Sequence, residues 1–325
     1  MDEPGTGSPG EPSTEDVLAA SVRLRDRVLR TPVLRCERLD ELAGAQVWLK
    51  CENLQHVGAF KARGALNAVL SLPEEVARRG VAAHSSGNHA AALAYAGRQR
   101  GVPVTVVMPS DAPSVKFALV RRLGARVVTC APTLEARTAA LEEVVEATGA
   151  TEIHPYDDAQ VIAGAGTAAL ELLEAHPDLQ LVVAPVSGGG LLSGTALAAQ
   201  TVDRSPVVWG AEPATVDDAA RSLATGVRQP STGAATIADG LVAVLSDRTF
   251  AILGRWVDDV VVVTEQEIVG AMRLLFDEAK LVVEPSGAAG VAAVLARAGE
   301  LPDQVGVVIS GGNVDLDRLP FVDRA

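Results

Sequence analysis

Short, mostly apolar runs separated by helical patterns are the feature that most restricts what this chain can become. Residues 47–49, 102–108, 125–129, 181–186, 207–209, 260–263 and 305–309 read as strands. Helical patterns fall at 62–70, 88–100, 114–123, 159–174, 191–199, 265–279 and 286–298. Strands alternating with helices need crossover connections, so the expectation is an α/β fold on parallel sheets. Ser13 and Thr14 can cap a first helix running to about residue 29, and Thr31-Pro32 stops it. Residues 1–12, rich in Gly, Pro, Ser and acid, read as a disordered tail. The alternation over 71–150 marks a smaller lobe, and 13–70 with 151–325 make a larger one.

Composition narrows the function classes. Hydrophobic residues are 48% of 325, enough for a sizeable core, and aromatics only 3%. A net charge of −13 argues against a general binder of nucleic acid or of anionic membranes, since either needs a basic face. Cys36, Cys51 and Cys130 lie far apart without C-x-x-C spacing. They read as reduced thiols of a cytoplasmic protein. No basic-then-apolar leader opens the sequence. The longest uncharged run, 179–202, is broken by Pro185 and three glycines, so it reads as strand, loop and helix rather than a membrane span.

Four stretches carry chemistry. In K-C-E-N-L-Q-H-V-G-A-F-K-A-R-G, Lys61 follows Phe60 and opens a helical run. A partly desolvated amine there would have a lowered pKa, the state needed for a Schiff base with a carbonyl cofactor; a surface lysine at a helix start is the other reading. Ser187-Gly188-Gly189-Gly190 follows an apolar strand and precedes a helix. Glycines let backbone N–H groups approach an anion, so this is a phosphate cup by position, or a tight turn. Ser85-Ser86-Gly87-Asn88-His89 stands at a helix mouth, where hydroxyls, an amide and free N–H groups would hold a carboxylate or merely cap the helix. Ser310-Gly311-Gly312-Asn313 follows the last strand; a hydroxyl at the carboxyl end of a parallel strand points into the crevice where α/β ligands bind, and a plain Gly-rich turn is the other reading.

Together these segments, with V-I-A-G-A-G-T, A-D-G-L and E-P-S-G-A-A-G in order, resemble the fold type II pyridoxal-phosphate enzymes. Within them the chain is similar to the serine/threonine dehydratase (threonine ammonia-lyase) and serine racemase group. The resemblance runs from Thr31-Pro32 to Asp315 and implies a tryptophan synthase β-like fold: two open parallel-sheet α/β domains with the cofactor in the cleft between them. It implies that Lys61 carries pyridoxal 5'-phosphate as a Schiff base, and that Ser187, Gly188, Gly189 and Gly190 hold its phosphate. Asn88 would bond its phenolic oxygen, Phe60 would pack on the ring, Ser310 would face the pyridine nitrogen and Glu284 would lie near the ring. Ser85, Ser86, Gly87 and His89 would bind the substrate carboxylate. Ser86 stands where dedicated threonine dehydratases often carry alanine, so it is also a candidate acid/base group on the face opposite Lys61. Val57 and Ala59 depart from the Thr and Ser of many members.

The resemblance also suggests a divalent cation (magnesium, calcium or manganese) held by Glu212, the Val216 carbonyl and Asp218, in a structural and activating role; a capped turn before a helix is the alternative. The implied activity is β-elimination from L-threonine or L-serine to a 2-oxo acid and ammonia. A serine racemase with lyase side activity, a 3-hydroxyaspartate dehydratase and a non-catalytic amino-acid sensor are the alternatives. A homodimer is expected, relatives commonly being dimers.

Overall fold

The computed structural model describes residues 10–112 and 114–321. Of the expected disordered tail, residues 1–9 lie outside the described ones. In chain order the helices are α1 (Thr14–Leu24), α2 (Glu37–Ala43), α3 (Lys61–Ser71), α4 (Glu74–Ala77), α5 (Asn88–Arg100), α6 (Ser114–Arg122), α7 (Leu134–Thr148), α8 (Ala159–Ala175), α9 (Gly190–Ala199), α10 (Asp218–Thr225), α11 (Asp247–Trp256), α12 (Glu265–Asp277) and α13 (Pro285–Ala296). The strands are β1 (Val33–Arg35), β2 (Gln46–Cys51), β3 (Val81–His84), β4 (Val104–Pro109), β5 (Arg126–Cys130), β6 (Thr151–Glu152), β7 (Leu181–Pro185), β8 (Val207–Pro213), β9 (Asp259–Val263) and β10 (Gln304–Ile309).

They form two sheets. The larger has the order β1-β2-β10-β7-β8-β9, parallel except for the antiparallel edge strand β1. The smaller is wholly parallel, with the order β5-β4-β3-β6. Its last strand reaches Glu152, just past the boundary read at 150. The central strands β4, β7 and β10 are buried almost throughout, which is why their sequences lack period-2 alternation.

The first helix is shorter than expected. It ends at Leu24 because Arg25 leaves helical space and Asp26 turns left-handed, at φ 62°. A turn closes on the Leu24 carbonyl, which accepts from Arg27 and Val28 N–H at 2.9 and 3.2 Å, and the Gln55 amide then takes both backbone groups of Leu29, at 2.8 and 3.0 Å. The main elements stack tightly. α3 meets α8 through Gly64 and Gly164: a Cβ on Gly64 would lie 2.7 Å from the Val161 carbonyl, and one on Gly164 2.7 Å from that of Arg63. All three cysteines are free, and Cys36 and Cys51 are buried. No helix among the described residues is long and apolar enough to cross a membrane.

Candidate active site

The loop that ends in Lys61 is held by the loop that follows β10. Phe60 N–H donates to the Ser310 carbonyl at 2.9 Å, Gly312 N–H donates to the Gly58 carbonyl at 2.9 Å, and Ala59 bridges to Gly311. Ser310 is thereby brought to the turn that carries Lys61, about 250 residues earlier in the sequence. The turn is tight. Val57, a β-branched residue, sits at φ 56°, and a side chain on Gly58 (φ 73°) would run into the Asn313 amide. Lys61 begins α3, and its Nζ donates to the Pro155 carbonyl at 2.7 Å and lies 5.1 Å from the Phe60 ring centroid. No carboxylate compensates the ammonium, so burial draws the Lys61 pKa down to about 8.

Pro155 leads to the second part of the site. The next residue, Tyr156, lies against the glycine cup: a Cβ on Gly188 would meet its ring at 2.5 Å, and one on Gly190 its Cβ at 2.9 Å. Gly189 has φ 89°, and a side chain there would strike Thr249. Glycine is thus required at all three positions. The Ser187 hydroxyl is tied to Ala243, accepting from its N–H at 3.0 Å and lying 3.3 Å from its carbonyl. α9 starts at Gly190 and is buried along its length without a charged residue. Its first N–H groups lack intrahelical partners and the glycines around them are buried, an arrangement that suits an anion.

The third part faces the cleft from the smaller lobe. Asn88 opens α5. Its Nδ2 donates to Glu284 Oε1 at 2.7 Å, and its Oδ1 accepts from Asn313 Nδ2 at 2.9 Å. One amide hydrogen of Asn88 is left to donate elsewhere. Burial pushes the Glu284 carboxyl up to about 7. His89 is buried, with Nε2 2.8 Å from the Ile153 carbonyl, which makes that nitrogen the donor; burial pushes its pKa down to about 3, so the ring is neutral. Ser85 Oγ accepts from Gly87 N–H at 3.2 Å, and Ser86 is half-buried in the same turn. The Ser310 hydroxyl is buried, with the Ser286 carbonyl 3.5 Å away.

Glu212, Val216 and Asp218 gather at the end of β8 and the start of α10. Glu212 accepts from Ala219 and Ala220 N–H at 3.0 and 2.9 Å, so it also caps α10, while Asp218 Oδ2 is buried without a partner. Burial pushes the two carboxyls up to about 8 and about 6. Arg221 is the one cation that acts on Asp218 and is itself paired with Asp217, so the two buried carboxyls together suit a hard cation with oxygen ligands. No group of three or more Cys, His, Asp or Glu that could hold a metal occurs among the described residues, so a third ligand there would be a carbonyl.

Sequence reasoning gave no role to Pro155, Tyr156 or Asn313. The first two are 94 and more residues from Lys61, and neither carries a pattern by itself. Asn313 stood inside a quoted motif, and its amide was the available signal. Chemically, the set provides an amine that loses its proton near neutrality, an anion cup and a spare amide N–H. That donor set fits a phosphate-bearing aromatic aldehyde with a phenolic oxygen.

Comparison with known proteins agrees. Residues 24–311 match the family described as pyridoxal-phosphate dependent enzyme. The chain is 45% identical over 314 residues to a beta-hydroxyaspartate dehydratase of Paracoccus denitrificans, covering 95% of this chain and 99% of that one. It is 45% identical over 312 residues to a serine racemase of Dictyostelium discoideum, covering 94% and 96%. The structure of maize serine racemase matches with a TM-score of 0.92 at 40% identity, covering 94% of this chain and 95% of that one.

Proposed function

Because the chain belongs to the pyridoxal-phosphate dependent enzyme family, we propose that it is an ammonia-lyase for small β-hydroxy amino acids. L-serine and 3-hydroxyaspartate stand ahead of L-threonine as substrates, in keeping with the names of the relatives at 45% identity. The observation that carries the reading is the Lys61 amine: bonded to a carbonyl, without a carboxylate partner, and drawn down to about 8.

When bound, pyridoxal phosphate would supply the electron sink that makes the α-proton of an amino acid acidic. Lys61 would hold the cofactor through its amine and, once freed by substrate, would take the α-proton as general base. N–H groups of Gly188, Gly189 and Gly190 would receive the phosphate, and the spare hydrogen of Asn88 Nδ2 the phenolic oxygen. Ser310 would face the ring nitrogen with a neutral hydroxyl, which would not hold a proton there as a carboxylate would, so the cofactor would supply a weaker electron sink suited to β-elimination. Ser85, Ser86, Gly87 and the backbone N–H of His89, at the N-terminus of α5, would bind the substrate carboxylate, since the His89 ring spends its one N–H on the Ile153 carbonyl. Glu212, Asp218 and the Val216 carbonyl would hold a divalent cation that fixes the start of α10.

A second reading rests on Ser86. A serine in the Ser85–His89 turn, on the opposite face from Lys61, could return a proton to that face and invert the α-carbon, giving a racemase. To separate the two, the protein is incubated with pyridoxal phosphate and L-serine, 3-hydroxyaspartate or L-threonine in turn. The 2-oxo acid and the D-amino acid are then quantified in one sample. We expect 2-oxo acid in excess. Dominant D-serine would transfer the assignment to the racemase, and no product from any of the three would overturn both.

A further inference from the structure

Two residues beyond Lys61, on the same helix, Arg63 joins a cluster of three buried charges and one half-buried one, Glu171, that the reaction does not use. Arg63 and Glu52 are 0% exposed and Lys50 1%. Arg63 grips Glu52 twice, Nε to Oε2 at 2.7 Å and Nη2 to Oε1 at 2.8 Å. It grips Glu171 twice as well, Nη1 to Oε1 at 2.8 Å and Nη2 to Oε2 at 2.9 Å. Nη1 also reaches Thr167 Oγ1 and Nη2 the Leu29 carbonyl, both at 3.2 Å. Lys50 Nζ completes the cluster at 2.6 Å from Glu171 and 2.8 Å from the Thr31 carbonyl. Thr31 Oγ1 donates to Glu52 at 2.5 Å. The network joins α3 to β2, to α8 and to the segment between α1 and β1.

Stability is a poor reason for such a cluster. Desolvating such ions costs much of what their attraction returns, and well-packed apolar residues often serve as well. What the guanidinium supplies is direction, because its planar fork fits two carboxylates in one geometry only. Direction is what the start of α3 needs. Its N-cap, Phe60, provides no side-chain hydrogen bond. The Gly64–Gly164 contact sets how closely α3 approaches α8 but carries no directional bond. Residues two apart on a helix point about 200° apart, so an Arg63 pinned on the buried side turns Lys61 toward the opposite side.

We propose that Arg63, clamped by Glu52 and Glu171 with Lys50 closing the network, is a positioning residue that sets the rotation of the first turn of α3 and so aims the Lys61 amine at the cofactor aldehyde. The proposal rests on the functional reading above. Capture replaces the aldehyde C=O by a C=N bond to Nζ and releases the oxygen as water, with no oxidant or reductant. Aim matters for that bond and not for holding the phosphate or the ring.

The test compares two probes on the cofactor-free protein: pyridoxal 5'-phosphate, which has the aldehyde, and pyridoxine 5'-phosphate, which has a hydroxymethyl group instead. Affinities are measured by fluorescence titration, and folding by circular dichroism. Arg63→Lys keeps the charge and removes the fork. It should weaken pyridoxal phosphate by about tenfold or more and leave pyridoxine phosphate unchanged. In a Lys61→Ala background, the Arg63→Lys effect on pyridoxal phosphate should vanish. If both probes weaken together, or if the effect persists without Lys61, the network serves the fold alone and the proposal fails. Should Arg63→Lys not fold, Glu171→Gln, which leaves the Arg63–Glu52 pair intact, decides by the same criteria. A wild-type chain that does not prefer the aldehyde probe would overturn the functional reading itself, and the wild-type data alone show that failure.

Discussion

Two lysines eleven residues apart show how partners decide a side chain's chemistry. Burial lowers the Lys50 pKa too, but Glu171 beside it opposes that shift, and the Thr31 carbonyl accepts from its Nζ. Lys61 has only the Pro155 carbonyl, and burial alone draws it down to about 8. The sign of the consequence is fixed: the reactive form is the neutral amine, which grows as pH rises through about 8. The rate at which cofactor-free protein captures pyridoxal phosphate should therefore climb with pH and reach half its limit near 8. A stopped-flow series across pH checks this. A midpoint near the ordinary lysine value of about 10.4 would mean that the amine is solvated.

The start of α10 is the element whose behaviour is most open to test. Glu212 already accepts from two N–H groups there, and an anionic cap is favourable at a helix N-terminus. Of cations, only Arg221, already paired with Asp217, acts on Asp218, and a divalent ion would balance the two carboxyls. We expect a chelator to lower the melting temperature and added magnesium to restore it. In Glu212→Gln and in Asp218→Asn, magnesium should have no effect. A melting curve indifferent to chelator and magnesium in the wild-type chain would leave Glu212 as a cap and remove the cation.

The whole molecule is two sheets with few polar links across the cleft. Asn88 reaches Glu284 and Asn313, and Lys116 reaches Asp239 at 3.2 Å. The last pair is exposed and contributes about 1 kcal/mol or less. A ligand that touches Lys61, the glycine cup and Asn88 together would join both lobes. Pyridoxal phosphate at about 100 times its Kd should add about 2.7 kcal/mol of stability, lost in Lys61→Ala if capture dominates its affinity. Trp48, Trp209 and Trp256 all lie in the larger lobe, so their fluorescence follows that lobe while far-UV circular dichroism follows both. The cofactor should raise the two midpoints together. A rise in fluorescence alone would show that the smaller lobe takes no part.

The parallel α/β plan was legible because buried central strands such as β7 and β10 leave long apolar runs, and the helices between them leave a different period. Lys61, the glycine cup and the Ser-Ser-Gly-Asn-His turn were legible because each is a local device, a few adjacent residues at a strand end or a helix mouth. β3 was not: V-A-A-H suits helix or strand equally, and only pairing with β4 and β6 makes it a strand. The length of α1 was misread because Arg25 and Asp26 carry no strong stop signal, and it is the distant Gln55 that takes up Leu29. Local chemistry and periodicity are properties of neighbours in the chain, so the sequence by itself determined the fold class and singled out Lys61 and the Ser187–Gly190 loop as candidates. Which groups meet across the fold was decided only by the tertiary structure: Pro155 on Lys61, Tyr156 on the cup, Asn313 on Asn88 and the Arg63–Glu52–Glu171–Lys50 cluster behind α3. Those contacts join segments dozens to hundreds of residues apart, and a hydrogen bond at 2.7 Å depends on where a backbone finally packs rather than on any spacing along it.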